Sequence, residues 1–192
     1  MAILHTIFGR QGSEEKLIER LRAGDAAAAE QLYRQHARYL TAVCSRYLAN
    51  DEDVKDVLQE AFLKVFSTIE RFRYQGEGSL RAWMTRIAIN ESIDHLKAKQ
   101  RMPLDDLSDS LLGMPNEPPP TEQVPAEVLH RLVRELPEGY RLVFNLYVME
   151  GKSHREIASM LGIKEGTSAS QLYKAKATLA TKINQYIREK HE

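Results

Sequence analysis

Two groups of side chains in this 192-residue sequence have the types and spacing to do chemistry, and in both the chemistry is recognition of a polyanion. Trp83, Arg86, Asn90, Lys97 and Arg101 follow one another at steps of three, four, seven and four, which on a helix aligns an aromatic ring, an amide and three cations along one face. The cations suit phosphates, whereas an unstacked base needs an aromatic plane and an amide for its edge. Asp94 lies on the same stripe and weakens its field, and Trp83 could equally anchor the helix in a core beside Leu80, Met84 and Ile87. The second group, Ser170, Gln171, Tyr173, Lys174 and Lys176, sits at the end of the segment SHREIASMLGIKEGTSASQLYKAK.

Catalytic chemistry finds no foothold. Gln75-Gly-Glu-Gly-Ser79 has the glycines of a phosphate-cradling loop, but no strand precedes it and no third glycine completes G-x-G-x-x-G, while the one Gly-Lys-Ser of the chain, Gly151-Lys152-Ser153, has Leu146 where a P-loop needs its first glycine. The acidic run Asp51 to Asp56 places Lys55 at a ligand position of a calcium loop and lacks its turn glycine, so it reads as a helix start. The six histidines are scattered, and no metal-ligand or nucleophile arrangement appears. The expectation is therefore no catalytic residue, no metal and no cofactor.

The elements that must carry these groups are helices. Apolar residues recur at helical spacing over about 13–23, 25–48, 51–69 and 80–99. Tyr33 and Phe66 fall in the buried register of the second and third, and Cys44, the only cysteine, is a core residue that cannot form an internal disulfide. Helices at about 126–136 and 138–150 follow. The segment from Ser153 then reads as a helix-turn-helix: a hydroxyl cap, Ile157, Ala158 and Leu161 facing inward, Gly162 closing, and a second helix from about Thr167 towards Tyr186. An αα-hairpin with a solvated basic face would share this local pattern.

Six of the seven prolines lie between Met102 and Glu127, a span with six acidic and no basic residues. It reads as a flexible acidic tether between two small helical domains, 1–101 and 128–192. The formal net charge of zero averages +2, −6 and +4 over these three segments, and residues 71–101 alone carry seven basic and three acidic groups. Two positive regions suit two contacts with a polyanion. The N-terminus MAILHTIFGR has neither the basic flank nor the cleavage pattern of a signal peptide, and no run approaches about 20 apolar residues. Direct membrane insertion is not expected, and the cytoplasm is the default compartment.

The blocks DVLQEAFLKVF (56–66), RFRYQGEGSLRAWMTRIAINESIDHLK (71–97), LPEGYRLVFNLYVMEGKSHREIASMLGI (136–163) and EGTSASQLYKAK (165–176), in this order around a variable linker, resemble the extracytoplasmic-function group of bacterial sigma factors. The resemblance implies a dissociable, non-enzymatic subunit of RNA polymerase that selects and opens promoters. It implies that Asp56, Gln59 and Glu60 bind core RNA polymerase. Arg73, Tyr74, Gln75 and Ser79 would capture a flipped base of the −10 element, with Trp83, Arg86, Asn90 and Lys97 along the separated strand. Lys152, Arg155, Thr167, Ser170, Gln171, Tyr173, Lys174 and Lys176 would meet the −35 duplex. Ala169 and Gln171 depart from the family, which frequently has basic residues there, and Ser168 stands where an apolar residue is common. The acidic linker resembles the segment that such factors thread through polymerase, and family habit implies an anti-sigma factor as a further partner. A conventional helix-turn-helix regulator and a helical protein-interaction module are the rival readings, but they leave the Gln59-Glu60 and QGEGS blocks unexplained.

Overall fold

The structure is a computed structural model and describes residues 14–99 and 119–191. Every regular element among them is helical, as the periodicity predicts. The reading of the N-terminal decapeptide and most of the linker, residues 102–118, lie outside the described residues. The described residues within Met1–Ser45 and Asn50–Asp94 form one compact unit, and those within Arg46–Ala49 and His95–Glu192 form a second.

The first unit holds α1 (14–22), α2 (Ala26–Tyr47) as far as Ser45, α3 (Asp51–Thr68) and α4 (Ser79–Ala98) as far as Asp94. Gly24, at φ 75°, releases the chain from α1, and Asp25 caps α2 by accepting from the amides of Ala27 (2.8 Å) and Ala28 (3.3 Å). The Arg20 guanidinium, 2.8 Å away, is the main reason the Asp25 carboxyl lies below its ordinary range, with those amides adding to the effect. Asn50 caps α3 through the amide of Glu52, and Asp51, Glu52 and Asp53 fill the first turn, where the dipole favours negative charge. Ile18, Leu32, Leu40, Val43, Cys44, Val57, Ala61, Val65, Leu80 and Met84 are buried. Tyr33 and Phe66 depart from the expected core register. Tyr33 is 48 % exposed, its ring 4.8 Å from that of Phe62, and Phe66 is only partly buried.

In the second unit, α5 is Ala126–Arg134, α6 Glu138–Phe144, α7 His154–Leu161 and α8 Glu165–His191. Val124, Leu132, Leu136, Ala175, Leu179 and Ile183 form one core cluster. Arg141 is buried and donates to the carbonyls of Arg134 (2.8 Å) and Leu136 (3.0 Å), satisfying acceptors that the end of α5 leaves open; its burial lowers its pKa.

Two boundaries differ from the sequence reading. The expected helix 138–150 widens into a π turn over Asn145–Met149, where the amide of Glu150 reaches back five residues to Asn145. Asn145 is buried, and its side-chain amide shares the Arg141 carbonyl with the backbone, a competition that hydrophobic periodicity does not register. The last helix starts at Glu165 rather than Thr167, because Ser168 already donates to the Lys164 carbonyl, and it runs on to His191. No helix among the described residues is long and apolar enough to cross a membrane.

Candidate nucleic-acid interface

In the first unit, the residues expected to handle a single strand converge on the loop before α4 and on that helix's outer face. Gly76 (φ 108°) and Gly78 (φ 85°) set the loop, Ser79 donates its amide to the Gly76 carbonyl, and its hydroxyl accepts from the Gln75 amide. Arg73 and Gln75 are exposed, and Tyr74 and Ser79 partly buried. Trp83 is half-buried. Its ring lies 4.9 Å from that of buried Phe72, which holds it, and the indole is only partly covered. Arg86 and Asn90 are exposed one turn apart. Lys97 belongs to the second unit, where its ammonium donates to the Met160 carbonyl at 2.6 Å, so it does not extend this stripe within one unit. Arg101 lies outside the described residues.

Two ties to this loop come from α1. Glu14 receives the amides of Gly78 (2.9 Å) and Leu80 (3.0 Å) on its two carboxylate oxygens, and Arg22 donates to the Phe72 carbonyl at 2.5 Å. Sequence reasoning missed both residues, since a lone charge on an amphipathic helix carries no signal of a partner fifty or more positions away.

On the opposite side of α3's apolar stripe, Asp56, Gln59 and Glu60 are all exposed. Of the three, Gln59 lines an open groove of about 430 Å³ floored by Tyr33, Leu58, Phe62, Leu63 and Phe66, with Lys55 also at its edge. Leu63 is 55 % exposed. Tyr33 and Leu63 were not among the expected contacts. The available signal was Leu63 itself, an apolar residue outside the buried register and within one turn of Gln59 and Glu60. An apolar floor with a polar rim is the composition of a protein-docking surface.

In the second unit, the helix-turn-helix is set by a capping box. Glu156 donates its amide to the Ser153 hydroxyl, and the Ser153 amide donates to the Glu156 carboxylate at 2.9 Å. That amide, then the Ser153 hydroxyl, then Lys152 hold the Glu156 carboxyl down at about 2. Gly162, at φ 72° and ψ 32°, closes α7 in the left-handed region. Buried Ser168 meets His154 Nδ1 at 2.9 Å across the turn, and His154 stacks on Tyr147 with ring centres 4.8 Å apart. The atypical hydroxyl at Ser168 thereby has a partner.

Arg155, Ser170 and Lys176 are exposed, and Lys152, Thr167, Tyr173 and Lys174 are partly buried. Lys152 pairs with Glu156 at 3.2 Å, and Lys176 lies 5.9 Å from the Tyr147 ring centre. Gln171 is a correction. It is buried, its side chain lies against Gly139 of α6 such that a Cβ there would stand 3.0 Å from its Oε1, and that oxygen has no hydrogen-bond partner among the described residues. Its position on α8 points to the packed side, so it is unavailable to a groove in this arrangement. Among the described residues no group of three histidine, cysteine, aspartate or glutamate side chains could hold a metal ion.

The sequence matches two family profiles in order, Sigma-70 region 2 over residues 32–102 and Sigma-70, region 4 over 126–179, together well over half of the chain. It is 28 % identical to the ECF RNA polymerase sigma-E factor of Escherichia coli (strain K12), over 94 % of this chain and 100 % of that one. It is 27 % identical to the RNA polymerase sigma-H factor of Pseudomonas aeruginosa, over 93 % and 98 %. Among solved structures, the sigma factor RpoE in complex with the anti-sigma factor NepR from Bartonella quintana aligns over 78 % of this chain and 92 % of that one, with 20 % identity and a TM-score of 0.46.

Proposed function

We propose a division of labour for a chain that belongs to the sigma-70 family, in its extracytoplasmic-function group, and so directs RNA polymerase to promoters. Asp56, Gln59 and Glu60, with the apolar groove beside them, dock on core polymerase. The loop 73–79 and the face carrying Trp83, Arg86 and Asn90 take the displaced strand of the −10 element, where extruding a base costs a few kcal/mol that a prepared pocket returns. The amino-terminal half of α8, through Ser170, Tyr173 and Lys174, enters the major groove at −35, with Lys152, Arg155, Thr167 and Lys176 towards the backbone. The domain division stays at 1–101 and 128–192 with the acidic tether between.

The chain carries no chemistry of its own on this reading. It is a transcription initiation factor rather than an enzyme, and it works in the cytoplasm with polymerase. An anti-sigma factor is a further partner, and the groove of α3 is the surface it would have to cover to block polymerase. The single observation that carries the reading is the order of the two matched regions, each with its expected polar residues exposed: Asp56, Gln59 and Glu60 in one, Arg155, Ser170 and Lys176 in the other.

The test is reconstitution. Purified core polymerase mixed with the chain is expected to bind it stoichiometrically and to initiate at promoters mapped by overexpression. Binding should be lost in the double variant Asp56→Lys, Glu60→Lys. If the wild-type chain and core do not associate, the reading is wrong.

A further inference from the structure

We infer that α1 is a clamp that holds the base-capturing loop ready, with Glu14 and Arg22 as its positioning residues; this rests on the role just proposed for residues 73–79. The loop cannot hold itself. Gly76 and Gly78 both have positive φ, and the space where a Cβ would stand is open at each, so neither residue fixes the backbone through side-chain packing. Its internal ties are the Gln75 amide to the Ser79 hydroxyl and the Ser79 amide to the Gly76 carbonyl. A glycine-rich backbone left with so little loses pre-organisation to conformational entropy.

The N-terminus of α4 is likewise incomplete on its own. The helix has no acidic residue in its first turn, and its Ser79 hydroxyl is taken by the Gln75 amide. The missing carboxylate comes from sixty-six positions earlier in the chain: Glu14 receives the amides on either side of Ser79, one per oxygen. Such charge-assisted bonds are about twice as strong as neutral ones, and at a helix start they gain from the dipole. Arg22 fastens the other end at the Phe72 carbonyl, directly before Arg73. The two ties bracket the loop.

α1 itself is fixed. Leu17, Ile18 and Leu21 are buried, and Arg20 bonds both Asp25 and Gln31 at the start of α2. Its buried edge is in the core while its polar ends reach the loop. The matched sigma-70 region 2 profile begins at residue 32, so Glu14 and Arg22 lie outside that profile.

A loop held in one conformation binds a strand with its full affinity, whereas a loop that visits it one time in ten binds about tenfold more weakly. The experiment uses holoenzyme assembled from core polymerase and full-length chain. Its probe is a labelled single-stranded non-template oligonucleotide from the −10 region of a mapped promoter. Glu14→Ala, Glu14→Gln and Arg22→Ala are each expected to weaken this binding, the alanine variants about tenfold. The amide variant should lose less, because it keeps one acceptor. The alanine double variant should fall short of the product of the singles, since both release one loop. Core association, −35 duplex binding and the exposed-surface control Glu30→Ala should match wild type, and the Gly78 and Leu80 amides should exchange faster in both Glu14 variants. Strand affinity within about twofold of wild type in Glu14→Gln and Arg22→Ala overturns the clamp. Parallel loss of core and duplex binding in all three variants also overturns it, by making α1 a folding element only. Wild-type holoenzyme that does not bind the strand would instead remove the role of the loop on which the clamp depends.

Discussion

At the scale of single residues, the second unit separates side chains that share a sequence pattern but not a surface. Gln171 and Lys174 both stood in the basic-to-polar cluster, yet Gln171 packs against Gly139 while Lys174 remains partly exposed. Lys174→Ala should therefore weaken binding of the −35 duplex several-fold and lower the salt slope by about one, as expected for a phosphate-facing cation, with core binding intact. Gln171→Ala should leave duplex affinity near wild type. Titrating a labelled −35 duplex at several salt concentrations checks both, and a strong defect in Gln171→Ala would mean that α8 presents another face to DNA. Periodicity could not separate these two, because what decides is a close approach of α6 and α8 at a glycine.

Glu156 supplies a pH dependence whose sign is set by its partners. Its carboxyl is held at about 2 in the folded chain against an ordinary value of 4.5. The proton therefore binds the unfolded chain more readily, so the stabilisation is complete above about 4.5 and disappears as pH falls towards about 2. Glu156→Gln should flatten the loss of thermal stability across that window, followed by circular dichroism. Ser153→Ala, which removes the hydroxyl half of the box, should cost about 1 kcal/mol at neutral pH. An unchanged acid profile in Glu156→Gln would show that the box is not formed in solution.

At the scale of elements, helix identities were legible because each carries a long apolar stripe, and the caps at Ser153 and Gly162 were legible because their residue types suit one backbone state. The π turn after α6 was not, since it depends on a buried Asn145 that the surrounding periodicity conceals. The exposed face of α3 was half legible. Polar spacing placed Asp56, Gln59 and Glu60 on the solvated side, where they are found, whereas Tyr33 and Phe66 were assigned to the core and instead floor an open groove with Leu63. If that groove seats part of core polymerase, Leu63→Asp should reduce core association at least as much as reversing Glu60, without lowering the melting temperature, because Leu63 is already mostly solvated. Co-purification with core measures the first and calorimetry the second. Full binding by Leu63→Asp would restrict the docking face to the polar rim.

At the scale of the molecule, a net charge of zero conceals an acidic tether between two positive segments. On the proposed reading each unit presents a different face to nucleic acid, one to a separated strand and one to a duplex, and promoter recognition sums the two contacts. Cutting the chain within 102–127 should lower promoter affinity of the holoenzyme by roughly two orders of magnitude while each half keeps its own contact, because the second engagement ceases to be intramolecular. A gel-shift titration with whole and severed chain measures this; equal affinities would show that one unit carries recognition alone. Proline and charge placement gave the expectation of two domains on either side of residues 102–127. The clamp from α1 was not legible, because it joins residues fifty or more positions apart through a carboxylate and a guanidinium that look solvated in the sequence.

As a sigma-70 family member, this chain directs core RNA polymerase to its promoters. The most direct measurement is run-off transcription with purified core polymerase, with and without the chain, on a template carrying a promoter mapped by overexpression. The account predicts no specific transcript from core alone, a discrete transcript on addition of the chain, and loss of that transcript with the double variant Asp56→Lys, Glu60→Lys. A discrete start from core alone, or none with the wild-type chain bound, would contradict it.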